Sequence, residues 1–277
     1  MVSLFCCPIC GQELLRREKD YVCPSGHSYD ISREGYTYLL PANRKHSAAP
    51  GDDKGMAASR RAFLEKGYYR PLLDALCKLS VSRAGAAPVV LDAGCGEGYY
   101  TSGIFRALCR AGKAPRMAGA DISKFSLRWA AKRERDVEFA VASSYRLPLA
   151  DASVELLLNC FSPLALDEFR RVLRPGGVFV YVVPAAEHLW EFKQVLYRQP
   201  YRNEEKRTPY GGFSYEEVIP VDGTIVLPSQ ADIHALFQMT PYSWNTPRDG
   251  VERLAALDTL TTRTAFRIHV FRRLGFG

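Results

Sequence analysis

Val89 to Thr101, VVLDAGCGEGYYT, joins an apolar run to an aspartate, three closely spaced glycines and the start of a helical pattern. Gly94, Gly96 and Gly98 let the chain turn tightly and approach a ligand closely, because a residue without Cβ tolerates positive φ and leaves space above the turn. The spacing is not that of a dinucleotide site, G-x-G-x-x-G, which sets a pyrophosphate on the next helix N-terminus. Here the third glycine comes one residue early, and Tyr99 stands in its place. Asp92 and Glu97 put two carboxylates around the loop, which repel pyrophosphate and suit a ligand bearing an ammonium and a sulfonium.

Outward from this turn, strand-like and helix-like runs alternate in the way a parallel sheet demands. Strands are expected near Val89–Asp92, Arg116–Asp121, Val137–Val141, Val154–Asn159 and Val178–Val183, as apolar runs covered on both faces. The second ends in Asp121, where a parallel βαβ unit presents a carboxylate to ribose hydroxyls. Leu164–Leu173 is amphipathic, and Pro175-Gly176-Gly177 stops it. Upstream, Arg60–Leu79 reads as one helix with apolar residues three and four apart. Downstream, Glu187–Tyr197 reads as a helix and Val218–Leu227 as a hairpin turning at Asp222-Gly223. Ser229 caps a helix running through Gln238, and Phe266–Arg273 alternates as a closing antiparallel strand. The class is α/β.

The glycine stretch resembles motif I of the class I S-adenosylmethionine (SAM)-dependent methyltransferases, D-x-G-x-G-x-G after a strand, matching at Asp92, Gly94, Gly96 and Gly98. That resemblance implies a Rossmann-like sheet with SAM at the loop.

Four of the eight cysteines fall in the first 23 residues, and Cys7, Cys10, Cys23 and His27 form C-x2-C-x12-C-x3-H. Two cysteines two residues apart on a turn can aim both sulfurs at one ion, and a second knuckle after a short hairpin closes a tetrahedron, as structural Zn²⁺ requires. A redox pair or a disulfide is the rival reading; a cytoplasmic setting and the absence of a thioredoxin-like pattern weigh against both. Cys6 adjoins Cys7 and could replace it as a ligand, although the C-P-x-C register favours Cys7. A module this short has no core of its own, so its folding is expected to depend on the metal.

The 277 residues carry 37 Lys and Arg against 30 Asp and Glu, a net charge of +7. Such a balance favours a polyanionic partner, through neutralisation of phosphates and release of counterions, but a soluble basic enzyme has it too. No window approaches a membrane span, and the first residues lack the charged region and apolar core of a secretory signal. A cytoplasmic protein without a membrane partner is expected. The domains read as a zinc-binding RNA-recognition module at 1–38, a linker at 39–58 and a methyltransferase domain at 59–277, with 185–262 on the substrate side.

The zinc knuckles, Pro50–Asp52, Arg60–Phe63, motif I, Val141–Pro148, RPGG and Gln238–Trp244 together resemble the bacterial 23S rRNA (guanine-N1)-methyltransferases over almost the whole chain. The resemblance implies SAM-dependent methylation of guanine N1 in a 23S rRNA hairpin, with Zn²⁺ and SAM as cofactors and a homodimer. By position it makes Cys7, Cys10, Cys23 and His27 the zinc ligands and adds Tyr69 and His188 to Gly96 and Glu97 at the SAM site. Asp92, Gly94, Gly98 and Asp121 complete that set. Ser162-Pro163 falls where such enzymes place the acceptor base, and Phe161, Tyr242 or Trp244 could stack on an extruded base. No residue is marked by spacing as the general base. Two rivals remain: a SAM-dependent methyltransferase for a small molecule, and a SAM- or RNA-binding protein without turnover.

Overall fold

The computed structural model describes residues 1–41, 51–205 and 209–275. An eight-stranded sheet forms its centre, in the order β11(Phe213–Leu227), β12(Leu260–Arg273), β10(Leu173–Pro184), β9(Val154–Cys160), β6(Val89–Ala93), β7(Arg116–Asp121), β8(Glu138–Val141), β5(Tyr36–Tyr38). From β5 to β10 neighbouring strands are parallel, whereas β12 runs antiparallel to both β10 and β11. The chain steps outward from β6 through β7 to β8 and then returns to β9 on the other side of β6. This reversal opens a crevice at the carboxyl ends of β6 and β9, the place where open α/β sheets bind ligands.

One face of the sheet is covered by α1(Lys54–Glu65), α2(Arg70–Arg83), α3(Tyr99–Arg110), α4(Lys124–Arg133), α6(Trp190–Leu196) and α7(Gln230–Met239), which contribute Phe63, Leu72, Ile104, Leu127, Phe192 and Leu236 to one apolar cluster. The second face has fewer helices, because the chain passes from β8 to β9 with no helix between them. α5(Leu166–Val172) covers part of that face, and the N-terminal module covers the rest, with Phe5, Leu14 and Tyr21 packed in one cluster with Ala118, Ala120 and Ala140. Small alanines on the strands let a thin module approach closely. The module is a four-stranded antiparallel sheet of β1(Val2–Cys6), β2(Glu13–Arg16), β3(Asp20–Val22) and β4(Ser28–Asp30). It is tied to β8 through Glu138, which accepts from Ser3 Oγ at 2.5 Å, the Leu4 amide at 3.0 Å and the Tyr21 hydroxyl at 3.3 Å.

The five expected parallel strands lie where expected, and a sixth that was not expected, β5, comes from within residues 1–38 and pairs with β8; the α7 cap is also as expected, with Ser229 accepting from the Asp232 amide. Three expectations are corrected. The span Arg60–Leu79 is two helices, since Gly67 at φ +80° ends α1 and Pro71 sits in the first turn of α2. The expected linker is shorter than 39–58, because Asp53 caps α1 and Lys54–Ala58 is already helical; its middle, residues 42–50 with the Arg44-Lys45-His46 triplet, lies outside the described residues. Val218–Leu227 is not a hairpin. β11 continues through Asp222 and Gly223, paired with Ala265 and Thr264, and Gly223 does not take the positive φ that a type I′ turn needs. Pairing along β12 outweighs the local turn signal, and Pro220 is tolerated because β11 is an edge strand.

Candidate active site and metal centre

Residue by residue, the glycine loop is built as its spacing demands. Gly94, Gly96 and Gly98 have φ of +83°, +54° and +81°. A Cβ on Gly94 would overlap Ser162, and one on Gly98 would lie 2.9 Å from Ala130 in α4. A Cβ on Gly96 meets nothing within 4 Å, since this residue faces open space. The Gly96 amide donates to Asp121 Oδ2 at 2.8 Å, and the Ser123 amide donates to Asp121 Oδ1 at 2.7 Å. The loop between β6 and α3 is therefore locked to the end of β7.

The loop opens into a cavity of about 740 Å³, within the size range of small-molecule sites. Of the eight residues expected at the cofactor site, all but Gly98 line it. Gly98 instead permits the close approach of α3 to α4. Asp92 is buried; its Oδ2 accepts from Thr101 at 2.6 Å while Oδ1 has no hydrogen-bond partner. Burial pushes its carboxyl up to about 7, with the Thr101 hydroxyl opposing and Asp121 and Glu97 adding to the rise. An unpaired carboxylate oxygen in a cavity calls for a cation or a donor from a ligand, and an ammonium supplies both. Glu97 lines the cavity differently: its Oε2 accepts from Arg133 at 2.7 Å, so that the side chain braces the loop against α4.

At the far wall, Tyr69 and His188 meet at 3.3 Å and pack on Phe266. Burial, with Lys193 nearby, lowers His188 to about 3, so that it is neutral at ordinary pH. Its Nδ1 accepts from the Ala265 amide, which leaves the ring proton on Nε2 facing the Tyr69 oxygen. The Tyr69 hydroxyl proton is thus free for a ligand. Sequence reasoning did not place Asp52 and Arg60 in the site, yet this ion pair also lines the cavity, with Arg60 donating to the Met239 carbonyl at 3.0 Å. A charge pair eight residues apart across a helix cap carries no periodic signal. Of the three candidate stacking aromatics, Phe161 and Tyr242 line the cavity and Trp244 does not.

In the N-terminal module, Cys7 and Cys10 lie on the turn after β1, and Cys23 and His27 on the turn after β3. Gly11 and Gly26, at φ +74° and +82°, donate their amides back to Cys7 O and Cys23 O, and so fold both turns into like knuckles. The four ligand atoms lie within 4.8 Å of one another. Cys10 Sγ is 3.7 Å from Cys23 Sγ, and His27 Nδ1 is 3.6 Å from Cys7 Sγ and 3.3 Å from Cys23 Sγ. Zinc bonds of about 2.3 Å to sulfur and 2.0 Å to nitrogen give tetrahedral edges of about 3.5–3.8 Å, so the donor set and its spacing suit this ion. Burial of the Cys7 thiol is outweighed by hydrogen bonds from the Tyr29 hydroxyl and the Cys10 and Ile9 amides, which bring it down to about 6 and favour the thiolate a metal needs. Cys6 points elsewhere and is outside the cluster, and its amide donates to Pro148 O at 2.7 Å.

That last bond joins the two sites. Residues 142–149 line the cavity at one end, through Ala142 to Tyr145, and at the other end hold β1 through the Cys6 bond and a Phe5–Leu149 bridge, directly beside Cys7.

Comparison with known proteins agrees with this architecture. Residues 5–48 match a zinc-ribbon family model described as "RlmA, N-terminal", and residues 90–177 match one described as "Methyltransferase domain". The chain is 35% identical over 266 residues, 91% of each chain, to a Bacillus subtilis protein named "Putative 23S rRNA (guanine-N(1)-)-methyltransferase YxjB". It is also 35% identical over 193 residues, 69% of this chain and 66% of the other, to the 23S rRNA (guanine(748)-N(1))-methyltransferase of Streptomyces fradiae. Among solved structures, YcgJ of Bacillus subtilis covers 73% of this chain over its whole length with a TM-score of 0.52 and 14% identity, a likeness of fold. The paired zinc ribbon and SAM-type sheet, with identity extending over nine-tenths of a relative, place this chain in the 23S rRNA (guanine-N1)-methyltransferase family, whose cofactors are SAM and zinc.

Proposed function

We propose that this protein transfers a methyl group from SAM to N1 of a guanine in a hairpin of 23S rRNA, as a cytoplasmic homodimer. The observation that carries this reading is the segment 142–149, which makes the zinc ribbon and the wall of the donor cavity one continuous piece. In a small-molecule enzyme the ribbon would serve only to cover the sheet, and its place beside the donor cavity would be without a role. RNA held by the ribbon, in contrast, is delivered beside the cavity. In this reading residues 1–38 recognise RNA, and the methyltransferase domain follows the linker, with 185–262 on its substrate side.

When bound, SAM supplies an electrophilic methyl on a sulfonium. The residues assigned to hold it are Tyr69, Asp92, Gly94, Gly96, Glu97, Gly98, Asp121 and His188. Asp92 Oδ1 takes the ammonium, and the carboxylate of Asp121 keeps free lone pairs for ribose hydroxyls beside its two amide bonds. Gly96 leaves room for the cofactor, Gly94 and Gly98 hold the turn, and Glu97 acts through its bond to Arg133. Tyr69 offers a hydroxyl, oriented by neutral His188. Cys7, Cys10, Cys23 and His27 hold zinc. With donor and acceptor fixed, alignment of guanine N1 with the methyl is the main contribution of the protein. No carboxylate or imidazole in the cavity is assigned as the base that removes the N1 proton.

Methylation at N1 blocks Watson–Crick pairing, which gives a direct test. Primer extension on unmodified 23S rRNA treated with the protein and SAM is expected to stop at one hairpin guanine; read-through identical to the untreated RNA overturns the reading.

A further inference from the structure

Phe161 lies just beyond β9 with φ +55°, in the left-handed region that side chains other than glycine avoid. Such a conformation persists only where its surroundings over-determine it. Here they do. The Phe161 amide donates to Val182 O at 3.2 Å, and the fully buried Asn159 amide donates to Ala93 O at 3.0 Å and Pro163 O at 3.3 Å, bracing the turn on both sides. Ser162 is seated against Gly94 of the donor loop. The result is an aromatic ring held up in the cavity with 45% of its surface exposed. One side of the ring meets Phe266 at 5.5 Å and Tyr100 at 6.4 Å between centroids. A large apolar side chain left open on a strained, immobilised turn is unexplained by packing.

The topology says what it faces. The donor's ribose end belongs with Asp121 on β7 and its ammonium end with Asp92 on β6, while Tyr69 and His188 hold it from the Phe266 wall, so the side of the cavity left for the acceptor is the one bordered by the uncovered face of the Phe161 ring. Phe161 stands on that side. From this juxtaposition we infer that Phe161 is the platform on which the acceptor purine stacks after leaving its helix, and that its strained backbone fixes the height of that platform relative to the methyl. The inference rests on the rRNA reading above. Stacking suits the task, because every base has a π-face and extrusion of a paired base must be compensated.

The test is transfer of labelled methyl from SAM to transcribed 23S rRNA by the wild type, Phe161→Gly and Phe161→Tyr, with SAM affinity by calorimetry and the melting temperature of each. Glycine accepts φ +55° without strain, so Phe161→Gly is expected to melt no lower than the wild type and to bind SAM equally well. Its kcat/KM for rRNA is expected to fall about 5- to 150-fold, the effect of losing one stacked base. Phe161→Tyr, which keeps the ring, is expected to restore transfer. Unchanged transfer by Phe161→Gly overturns the platform alone, as does a loss of stability or SAM binding that accounts for the defect. A wild type silent on rRNA overturns the functional reading and the platform with it.

Discussion

Asp92 shows how one residue can link acidity to ligand binding. Because burial raises its carboxyl to about 7, the folded protein holds this proton more tightly than the unfolded chain, so its contribution to stability declines as pH rises from the ordinary carboxylate range to about 7. Donor binding has the opposite sign, since an ammonium selects the ionised form. SAM affinity is expected to weaken below pH 7, toward tenfold per unit. Asp92→Asn is expected to weaken binding about 10- to 100-fold at pH 8 and to flatten the profile; calorimetry between pH 5.5 and 8.5 checks both, and a flat wild-type profile contradicts the role. The glycines and the two strand-end acids were legible in the sequence because their spacing is itself the constraint. The Asp52–Arg60 pair in the site was not, nor was the strained backbone of Phe161, whose ring the sequence did offer as a stacking candidate, because an ion pair across a cap and a backbone angle set by tertiary bonds leave no periodic trace.

Elements explain why the ribbon is part of the enzyme body. The β8-to-β9 connection contains no helix, and Phe5, Leu14 and Tyr21 fill the face this leaves bare. Glu138 gathers three donors from the ribbon, so Glu138→Ala strands the Leu4 amide and the Tyr21 hydroxyl. At about 1–3 kcal/mol per buried orphan, and roughly 2–4 °C per kcal/mol at this size, a thermal melt is expected to shift down by several degrees. No shift contradicts the docking. Five of the six parallel strands were readable as apolar runs, and the knuckles as cysteine spacing, whereas the three-residue β5 is too short to show a pattern. The Asp222-Gly223 signal misled, because fourteen residue pairs with β12, from Phe213 to Leu227, outweigh a two-residue turn preference. Likewise, the three-and-four periodicity of Phe63 to Leu76 persists across the break at Gly67, so pattern alone joined two helices.

Across the whole molecule, metal, donor site and charge act together. Removal of zinc by a chelator is expected to uncover the Ala118, Ala120 and Ala140 face, raising binding of an apolar dye and lowering the melting temperature, because a module without its own core folds with its metal. Dye binding and melting unaffected by complete metal loss contradict a structural zinc. With a net charge of +7, affinity for rRNA is expected to fall steeply as salt rises, and a salt-insensitive interaction counts against a phosphate-tracking surface. Among the described residues no helix is long and apolar enough to cross a membrane.

In the proposed reading, the cavity at the ends of β6 and β9 delivers methyl to guanine N1 of 23S rRNA. Mass spectrometry of nucleosides digested from unmodified 23S rRNA, after incubation with the zinc-loaded protein and isotopically labelled SAM, reads out this transfer itself. Labelled N1-methylguanosine is the expected product. Label in a different nucleoside, or none in RNA at all, contradicts it.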